Sequence, residues 1–199
     1  MPGVRQDLRR ALLAIAFDQA GYFTAAQALV VGYSYQAQKY HIDHGNWQRV
    51  DRGIFRIPDW PAKAEDTYIR WALWSGGRGV ISHESALAVH DLSDVNPHRI
   101  HLTVDPAFSR RDDPVVLHRA RLADGDIEAH GAWSVTTVER TLLDVAQTFL
   151  SQEHVDAAVA EAISRGLTTR RRLRLAGSGA PDRAALAIER ALASAESIS

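Results

Sequence analysis

The first apolar pattern in the chain is helical. Leu8, Leu12 and Ile15 recur three or four residues apart, which places them on one side of a helix over Val4–Ala20. Three arginines of this stretch fall on the opposite side: Arg5, Arg9 and Arg10. The spacing predicts an amphipathic first helix that packs through its leucine side.

Two shorter helical runs follow, separated by a tight turn. Thr24 is a residue type that caps helix N-termini, and it precedes the alanine-rich run 25–30. Gly32 breaks that run, and Ser34 then caps a second helical run, Tyr35–His44. A short helix, a glycine-containing turn and a second helix together match the helix-turn-helix pattern.

Two strand-like runs come next, and a tight connection joins them. In Trp47–Val50 and Ile54–Ile57 apolar side chains alternate with polar ones, and Asp51-Arg52-Gly53 lies between the two runs. The glycine stands where a tight hairpin needs a positive φ. Pro58 ends the second run, since proline has no N–H to give to a neighbouring strand. A helix-turn-helix followed directly by a β-hairpin predicts a winged helix.

After Pro61 the pattern changes to a mixture of helices and short strands. The predicted helices are Ala64–Trp74, His83–His90, Val138–Phe149, Gln152–Ser164, Thr169–Leu175 and Asp182–Ala195, and the predicted strands are Val80–Ser82, Arg99–Val104 and Val115–Arg119. We therefore predict an α+β protein of two domains. Residues 1–60 form a winged helix-turn-helix domain, and residues 62–199 form a small α+β domain with a helical tail.

The second helix of a helix-turn-helix enters the major groove, so its outer face is where base contacts are expected. Helical spacing places Tyr35, Gln38 and Ile42 on the inner face, where the first helix and the hairpin would cover them. The predicted DNA-binding residues on the outer face and on the hairpin are Ser34, Gln36, Lys39, Tyr40, Arg49 and Arg52. The alternatives are a merely solvated helix face, or a winged helix that docks on protein.

Charge is unevenly distributed along the chain, although the net charge is only −1. Residues 1–60 carry seven arginines and lysines against five aspartates, whereas residues 61–163 carry nine against sixteen acidic residues. A second basic patch follows at Arg165, Arg170, Arg171, Arg172 and Arg174. It is a candidate for a second DNA contact or for docking on an acidic partner, and a solvated face is the third interpretation.

Three segments carry a resemblance to a known family when they are taken in this order. The first is Gly21–Trp60, where Gly45 closes the second helix and Arg52-Gly53-Ile54-Phe55 forms the turn and start of the second strand, and the other two are Ile81–Leu87 and Val135–Asp144. Together they resemble the AbiEi-type antitoxins, which belong to the two-gene type IV toxin–antitoxin modules of bacteria first met in phage abortive infection.

The resemblance implies a function for each domain. It implies that the N-terminal domain represses transcription by binding inverted repeats of double-stranded DNA in its own operon promoter. It also implies that the C-terminal domain counteracts a cognate nucleotidyltransferase-type toxin, by direct contact or by opposing the toxin's effect. A protein-interaction module, or a transcriptional regulator without antitoxin activity, remains the alternative.

The sequence offers no catalytic or metal-binding set. His83-Glu84 begins like a zinc-protease helix, but Leu87 stands where the second histidine ligand would be. His41 and His44 lack the further ligands of a zinc site, and scattered histidines are more often surface or satisfied core residues. We therefore expect no enzyme activity, no catalytic residue, no metal and no cofactor.

Two polar segments of the predicted C-terminal domain have structural interpretations. Ser82 is placed to cap the helix that starts at His83, although this polar segment is also a candidate partner surface. Thr137 is placed to cap the next long helix, on which Arg140 and Asp144 are spaced for an i, i+4 ion pair.

Composition adds limits on location. The 199 residues are 46% hydrophobic and 24% charged, as in ordinary globular proteins, and cysteine is absent. No stretch resembles a signal peptide or approaches the roughly 18 apolar residues of a membrane span. We expect a cytoplasmic protein without membrane contact.

Overall fold

The structure is a computed structural model that describes residues 2–92, 94–148 and 151–196. In chain order its helices and strands are α1 (Pro2–Asp18), β1 (Tyr22–Thr24), α2 (Ala25–Val31), α3 (Tyr35–Asp43), β2 (Gln48–Asp51), β3 (Ile54–Arg56), α4 (Asp66–Trp74), β4 (Gly79–Ile81), α5 (His83–His90), β5 (Ile100–Val104), β6 (Val115–Arg119), β7 (Ile127–His130), β8 (Trp133–Thr136), α6 (Val138–Gln147), α7 (Gln152–Ser164), α8 (Arg170–Gly177) and α9 (Asp182–Glu196). This confirms the predicted α+β class. None of the helices in the described ranges is long and apolar enough to cross a membrane.

The chain divides into two compact units. The first contains the residues up to Arg78 together with Gly131–Trp133, and the second contains the rest of the chain from Gly79. The first unit thus extends past the boundary predicted at Pro61, because α4 contacts β1 and β3. A salt bridge of 2.6 Å between Arg56 of β3 and Asp66 of α4 adds to these contacts.

The first unit has an aromatic core between three helices and a small sheet. Its sheet is antiparallel with the strand order β1-β3-β2. Phe23 of β1 is completely buried, and its ring centroid lies 4.9 Å from that of Trp47 and 5.7 Å from that of Phe55. Ala16 of α1 and Ala28 of α2 are also completely buried, and such small side chains let helices approach the core closely.

The ends of α2 are formed as the sequence predicts. The Thr24 hydroxyl accepts a hydrogen bond from the N–H of Gln27, and the Gln27 side chain accepts one from the N–H of Thr24. Gly32 ends the helix with a φ of 118°. A Cβ at this position would lie only 3.0 Å from a methyl carbon of Leu8, so the turn requires glycine for both conformation and space.

The second unit packs helices around and beside a five-stranded sheet. The strand order is β6-β5-β4-β8-β7, where β4 is antiparallel to β5 and parallel to β8, and β5 is parallel to β6. Helices α6 to α9 share one core, which includes the completely buried side chains Leu142, Val145, Val159, Leu173 and Leu192. The amphipathic pattern of the predicted helical tail is explained by this core.

Some predicted bounds in the second unit are corrected. The helical pattern is predicted to begin at Val135, but this residue lies in β8, which continues to Thr136, while α6 starts at Val138 as predicted. The reason is that Ile81 of β4 pairs with Val135, a contact between segments far apart in the chain. The predicted end of α6 at Phe149 lies outside the described residues.

Candidate nucleic-acid interface

Helix α3 is held in place through its inner face. Gln38 is 2% exposed, and its side-chain amide donates hydrogen bonds to the carbonyl oxygens of Ala25 and Tyr33, at 3.1 Å and 3.0 Å. One buried amide thereby ties α3 to α2 and to the turn between them. The opposite face of α3 is consequently the face presented to solvent.

The predicted DNA-binding residues of α3 are all exposed. Gln36, Lys39 and Tyr40 lie on the outer face, and Ser34 precedes the helix as its N-cap, where its hydroxyl accepts the N–H of Ala37 at 3.2 Å. The amine of Lys39 lies 2.6 Å from a carboxylate oxygen of Asp43. An exposed i, i+4 pair of this kind contributes little and is readily exchanged for a phosphate.

The prediction that Tyr35 faces inward is wrong. Its side chain is 71% exposed, whereas Gln38 one turn later is buried. Tyr35 is the first residue of α3, and the inward position at that level is occupied by Tyr33, which is 8% exposed. Tyr35 therefore joins the outer face, where an aromatic side chain can also contact a phosphate.

The end of α3 carries a set of stacked rings. The ring of Tyr40 stacks on that of His44, with centroids 3.9 Å apart, and the ring of His41 stacks on that of Trp47 at 4.8 Å. Burial lowers the pKa of His41, and the charge of the neighbouring His44 lowers it further. His41 is therefore neutral at pH 7, and the positive charges of this face come from other residues.

The two predicted hairpin arginines differ in their surroundings. The guanidinium of Arg49 lies 6.0 Å from the ring centroid of Phe55, to which it is paired across the strands. Arg52 is exposed in the turn between β2 and β3, followed by Gly53 with a φ of 73°. Its backbone N–H is bonded to Asp51, while its side chain forms no ion pair within the described residues.

Most arginines of the second basic patch are engaged in contacts within the second unit. Arg172 lies 2.9 Å from Glu139, Arg174 lies 3.1 Å from Glu189, and Arg170 donates to the carbonyl oxygen of Leu192 at 2.8 Å. Arg165 donates to the carbonyl oxygens of His90 and Asp91, and its guanidinium is 3.6 Å from Glu161. Arg171 is exposed. These contacts give four of the five arginines a structural role, and the patch remains an untested prediction as a binding surface.

The predicted pair between Arg140 and Asp144 is present. A guanidinium nitrogen of Arg140 lies 2.7 Å from Asp144 Oδ1, and the Asp144 side chain is 3% exposed. Thr137 caps this helix as predicted, since its hydroxyl accepts the N–H of Arg140. Ser82 occupies the N-cap position of α5, but its hydroxyl makes no capping bond and contacts His83 Nδ1 at 3.0 Å instead.

A cluster of three histidines in the second unit was not predicted. The rings of His83 and His118 stack with centroids 3.3 Å apart, and His118 Nε2 lies 3.1 Å from His101 Nδ1. Burial lowers the pKa of His83 to about 2, with further lowering by His118 and His101. Burial, together with the charge of His101, lowers the pKa of His118 to about 4. Sequence spacing gives no signal for the cluster, because β5, β6 and α5 each contribute one ring.

These histidines predict acid sensitivity. The pKa of these histidines is lower in the folded chain than in the unfolded chain. As pH falls, the unfolded chain therefore binds protons at these histidines before the folded chain does, and the folded state loses stability. His118→Gln should therefore reduce the fall in the free energy of unfolding between pH 6.5 and 4, by up to about 1.4 kcal/mol per pH unit. Urea unfolding across this range measures the slope. The exposed His98→Gln serves as control, and equal slopes for both variants would contradict the buried cluster.

The described residues contain no group of three histidine, cysteine or acidic side chains arranged to hold a metal ion. The histidine cluster thus supplies neighbouring neutral rings rather than a convergent ligand set.

Comparison with known proteins places the fold. No family model matches the chain, and no curated protein matches it. The crystal structure of the RV2827C protein from Mycobacterium tuberculosis is similar, with a TM-score of 0.62 and 17% sequence identity over 94% of this chain and 76% of that one. At this identity the likeness bears on the fold alone.

Proposed function

We propose that this chain is a transcriptional repressor that binds duplex DNA through a winged helix-turn-helix in its first unit. The observation that carries the proposal is the orientation of α3: buried Gln38 anchors the inner face, and Gln36, Lys39 and Tyr40 are exposed on the outer one. Further support comes from the order of elements, since two helices joined by a tight turn precede an antiparallel hairpin.

Each exposed residue suits a particular part of DNA. The amide of Gln36 can bond adenine with two hydrogen bonds, and the amine of Lys39 reaches guanine or phosphate. The hydroxyls of Ser34 and Tyr40 suit phosphate oxygens, as do the arginines of the hairpin. In this arrangement α3 specifies sequence and the hairpin contributes affinity.

The α3 assignment is tested by Gln36→Ala and Lys39→Ala in the full chain. Each variant should lose about 1–3 kcal/mol of discrimination between the DNA upstream of its own reading frame and a scrambled duplex of equal composition. Fluorescence anisotropy with both duplexes measures this difference. Lys63→Ala, an exposed lysine outside the helices and strands, is the matched control and should bind like the parent. Undiminished discrimination by both α3 variants would contradict the assignment.

The hairpin is tested separately by Arg52→Ala. Because Arg52 lies at the turn, it should contact phosphate rather than a base edge, so binding should weaken about equally on both duplexes. The slope of log affinity against log salt should also fall by about one unit. Arg121→Ala, in the second unit and 87% exposed, is the control. A loss on the upstream DNA alone would show that the hairpin reads minor-groove shape.

The same salt series separates DNA binding from protein docking. A winged helix that docks only on protein gives no steep, linear dependence of duplex affinity on salt, because that dependence arises from release of phosphate counterions. A flat salt dependence would therefore overturn the proposed function.

We further propose that this chain is an antitoxin that counteracts a nucleotidyltransferase-type toxin. Its support is the resemblance carried by two segments of the second unit, Ile81–Leu87 and Val135–Asp144, which are neighbours through the pairing of Ile81 with Val135. The test is co-expression with a nucleotidyltransferase encoded beside this gene. Relief of growth arrest by the full chain is expected, and persistent arrest would restrict the function to DNA binding.

A further inference from the structure

A cavity of about 750 Å³ opens between α1 and α3 in the first unit. Its walls include apolar side chains of α1, Leu8 and Leu12, and the aromatic rings of Tyr33, His41 and Trp47. This volume lies within the range of about 300–1,000 Å³ typical of sites for small molecules.

Two arginines line the same cavity. Arg5 and Arg9 are four residues apart on α1 and line the cavity together with Leu8 and Leu12, so the prediction that these two arginines lie opposite the leucines is wrong. Both are exposed, and neither forms an ion pair within the described residues. The charge of Arg9 also acts on the phenol of Tyr33: burial raises the pKa of Tyr33, and Arg9 opposes that rise. The positive charge is therefore close to the aromatic wall.

The rings of the wall are held in fixed orientations. Tyr33 meets Trp47 edge to face at 5.0 Å between centroids, and His41 stacks on Trp47 with an angle of 16° between the planes. Tyr33 and Trp47 are 8% and 5% exposed, so packing fixes the positions of their rings. The parts of these rings that line the cavity are therefore already ordered before a ligand arrives, which lowers the cost of binding.

We propose that this cavity binds a small organic anion with a planar apolar body, of the aromatic carboxylate class. An inorganic anion would leave the apolar walls without a partner, and a neutral aromatic compound would leave both arginines without one. An aromatic carboxylate satisfies both, because guanidinium groups bond carboxylates in a forked geometry and the ring occupies the apolar part.

The cavity also adjoins the proposed DNA-binding helix. Ser34 and Tyr40 line it, and both are candidate DNA contacts. A bound anion beside them should lower DNA affinity, since it places negative charge next to the phosphate-binding residues. This consequence rests on the proposed function, whereas binding of the anion does not. The experiment below therefore contains no DNA, and a failure of one proposal leaves the other measurable.

The probes are 1-naphthoate and its neutral counterpart 1-naphthamide, titrated calorimetrically into the full chain. We expect 1-naphthoate to bind with a Kd of about 1 mM or tighter, as its size allows, and 1-naphthamide to bind at least about tenfold more weakly. Arg9→Gln should weaken naphthoate binding by about tenfold. Arg10→Gln, on the same helix but outside the cavity, should have no effect.

The location is tested by filling the cavity. Ala37 of α3 lines it, so Ala37→Leu should abolish naphthoate binding. Ala14→Leu, an exposed alanine of α1 outside the cavity, should bind like the parent. If Ala37→Leu does not fold by circular dichroism, the parent is titrated by NMR, where naphthoate should shift the indole N–H signal of Trp47 and leave that of Trp71 unchanged.

Three results would overturn the proposal: equal affinity for the two probes, binding that survives Ala37→Leu in a folded protein, or a naphthoate shift at Trp71 without one at Trp47. Absence of naphthoate binding up to about 5 mM would also overturn it, because the expected affinity lies well within that range.

Discussion

Phe23→Ala is expected to lower the free energy of unfolding of the first unit by about 3–5 kcal/mol. The side chain is completely buried between Trp47 and Phe55, so its removal leaves a cavity that two large rings cannot close. Since domains are stable by only about 5–15 kcal/mol, much of the unit's stability would be lost. Hydrogen exchange measured by mass spectrometry, peptide by peptide, locates the loss in this unit.

The matched control is Phe17→Ala, the same change at a side chain that is 74% exposed. Phe17 keeps one edge contact with Trp60 at 6.3 Å between centroids, so its loss should cost no more than about 1 kcal/mol. Equal destabilisation by the two variants would show that Phe23 does not organise the core.

Arg140→Met is expected to destabilise the second unit by about 3–5 kcal/mol at pH 7, because it leaves the carboxylate of Asp144 buried without its partner. Burial raises the pKa of Asp144, and the hydrogen bond and charge of Arg140 hold that rise back. Methionine keeps much of the length of arginine, so lost packing contributes little. Urea unfolding at several pH values measures the effect.

The pH dependence of this loss has a definite sign. Without Arg140 the pKa of Asp144 rises further, and a group whose folded-state pKa is raised favours the folded state at low pH and opposes it as pH rises. The destabilisation should therefore shrink as pH falls and the carboxyl takes up a proton. Adding Asp144→Asn to Arg140→Met should recover part of the stability at pH 7. A loss that is independent of pH and unaffected by the second change would contradict the role of the buried charge.

Local patterns predicted much of the first unit. The caps at Thr24 and Ser34, the glycine at the end of α2 and the alternation within the hairpin each depend on residues a few positions apart. Such signals describe the conformation of a short stretch and need no information about distant segments. The same holds for the i, i+4 pair of Arg140 with Asp144, whose spacing alone predicted the contact found in the structure.

The candidate interface was predicted less completely. Helical phase correctly places Gln38 inside and Gln36 and Lys39 outside, because phase depends only on position along α3. Helical phase gives the wrong face for Tyr35. The first residue of a helix is buried only if another part of the chain packs beside that helix end. Here Tyr33 fills that space, and no property of Tyr35 itself reveals it.

Local sequence patterns predicted the α+β class, the two short helices with the tight turn between them, the following hairpin and the helical tail, because period and capping are local properties. Features that depend on contacts between distant segments became visible in the folded chain alone. Strand β8 exists because Ile81 pairs with Val135, and three histidines from separate elements become one buried cluster. In the same way, Arg9 of α1 and Trp47, remote in sequence, line a single cavity. Burial and the pairing of distant segments depend on the complete chain path, so the residues of one short stretch do not predict them.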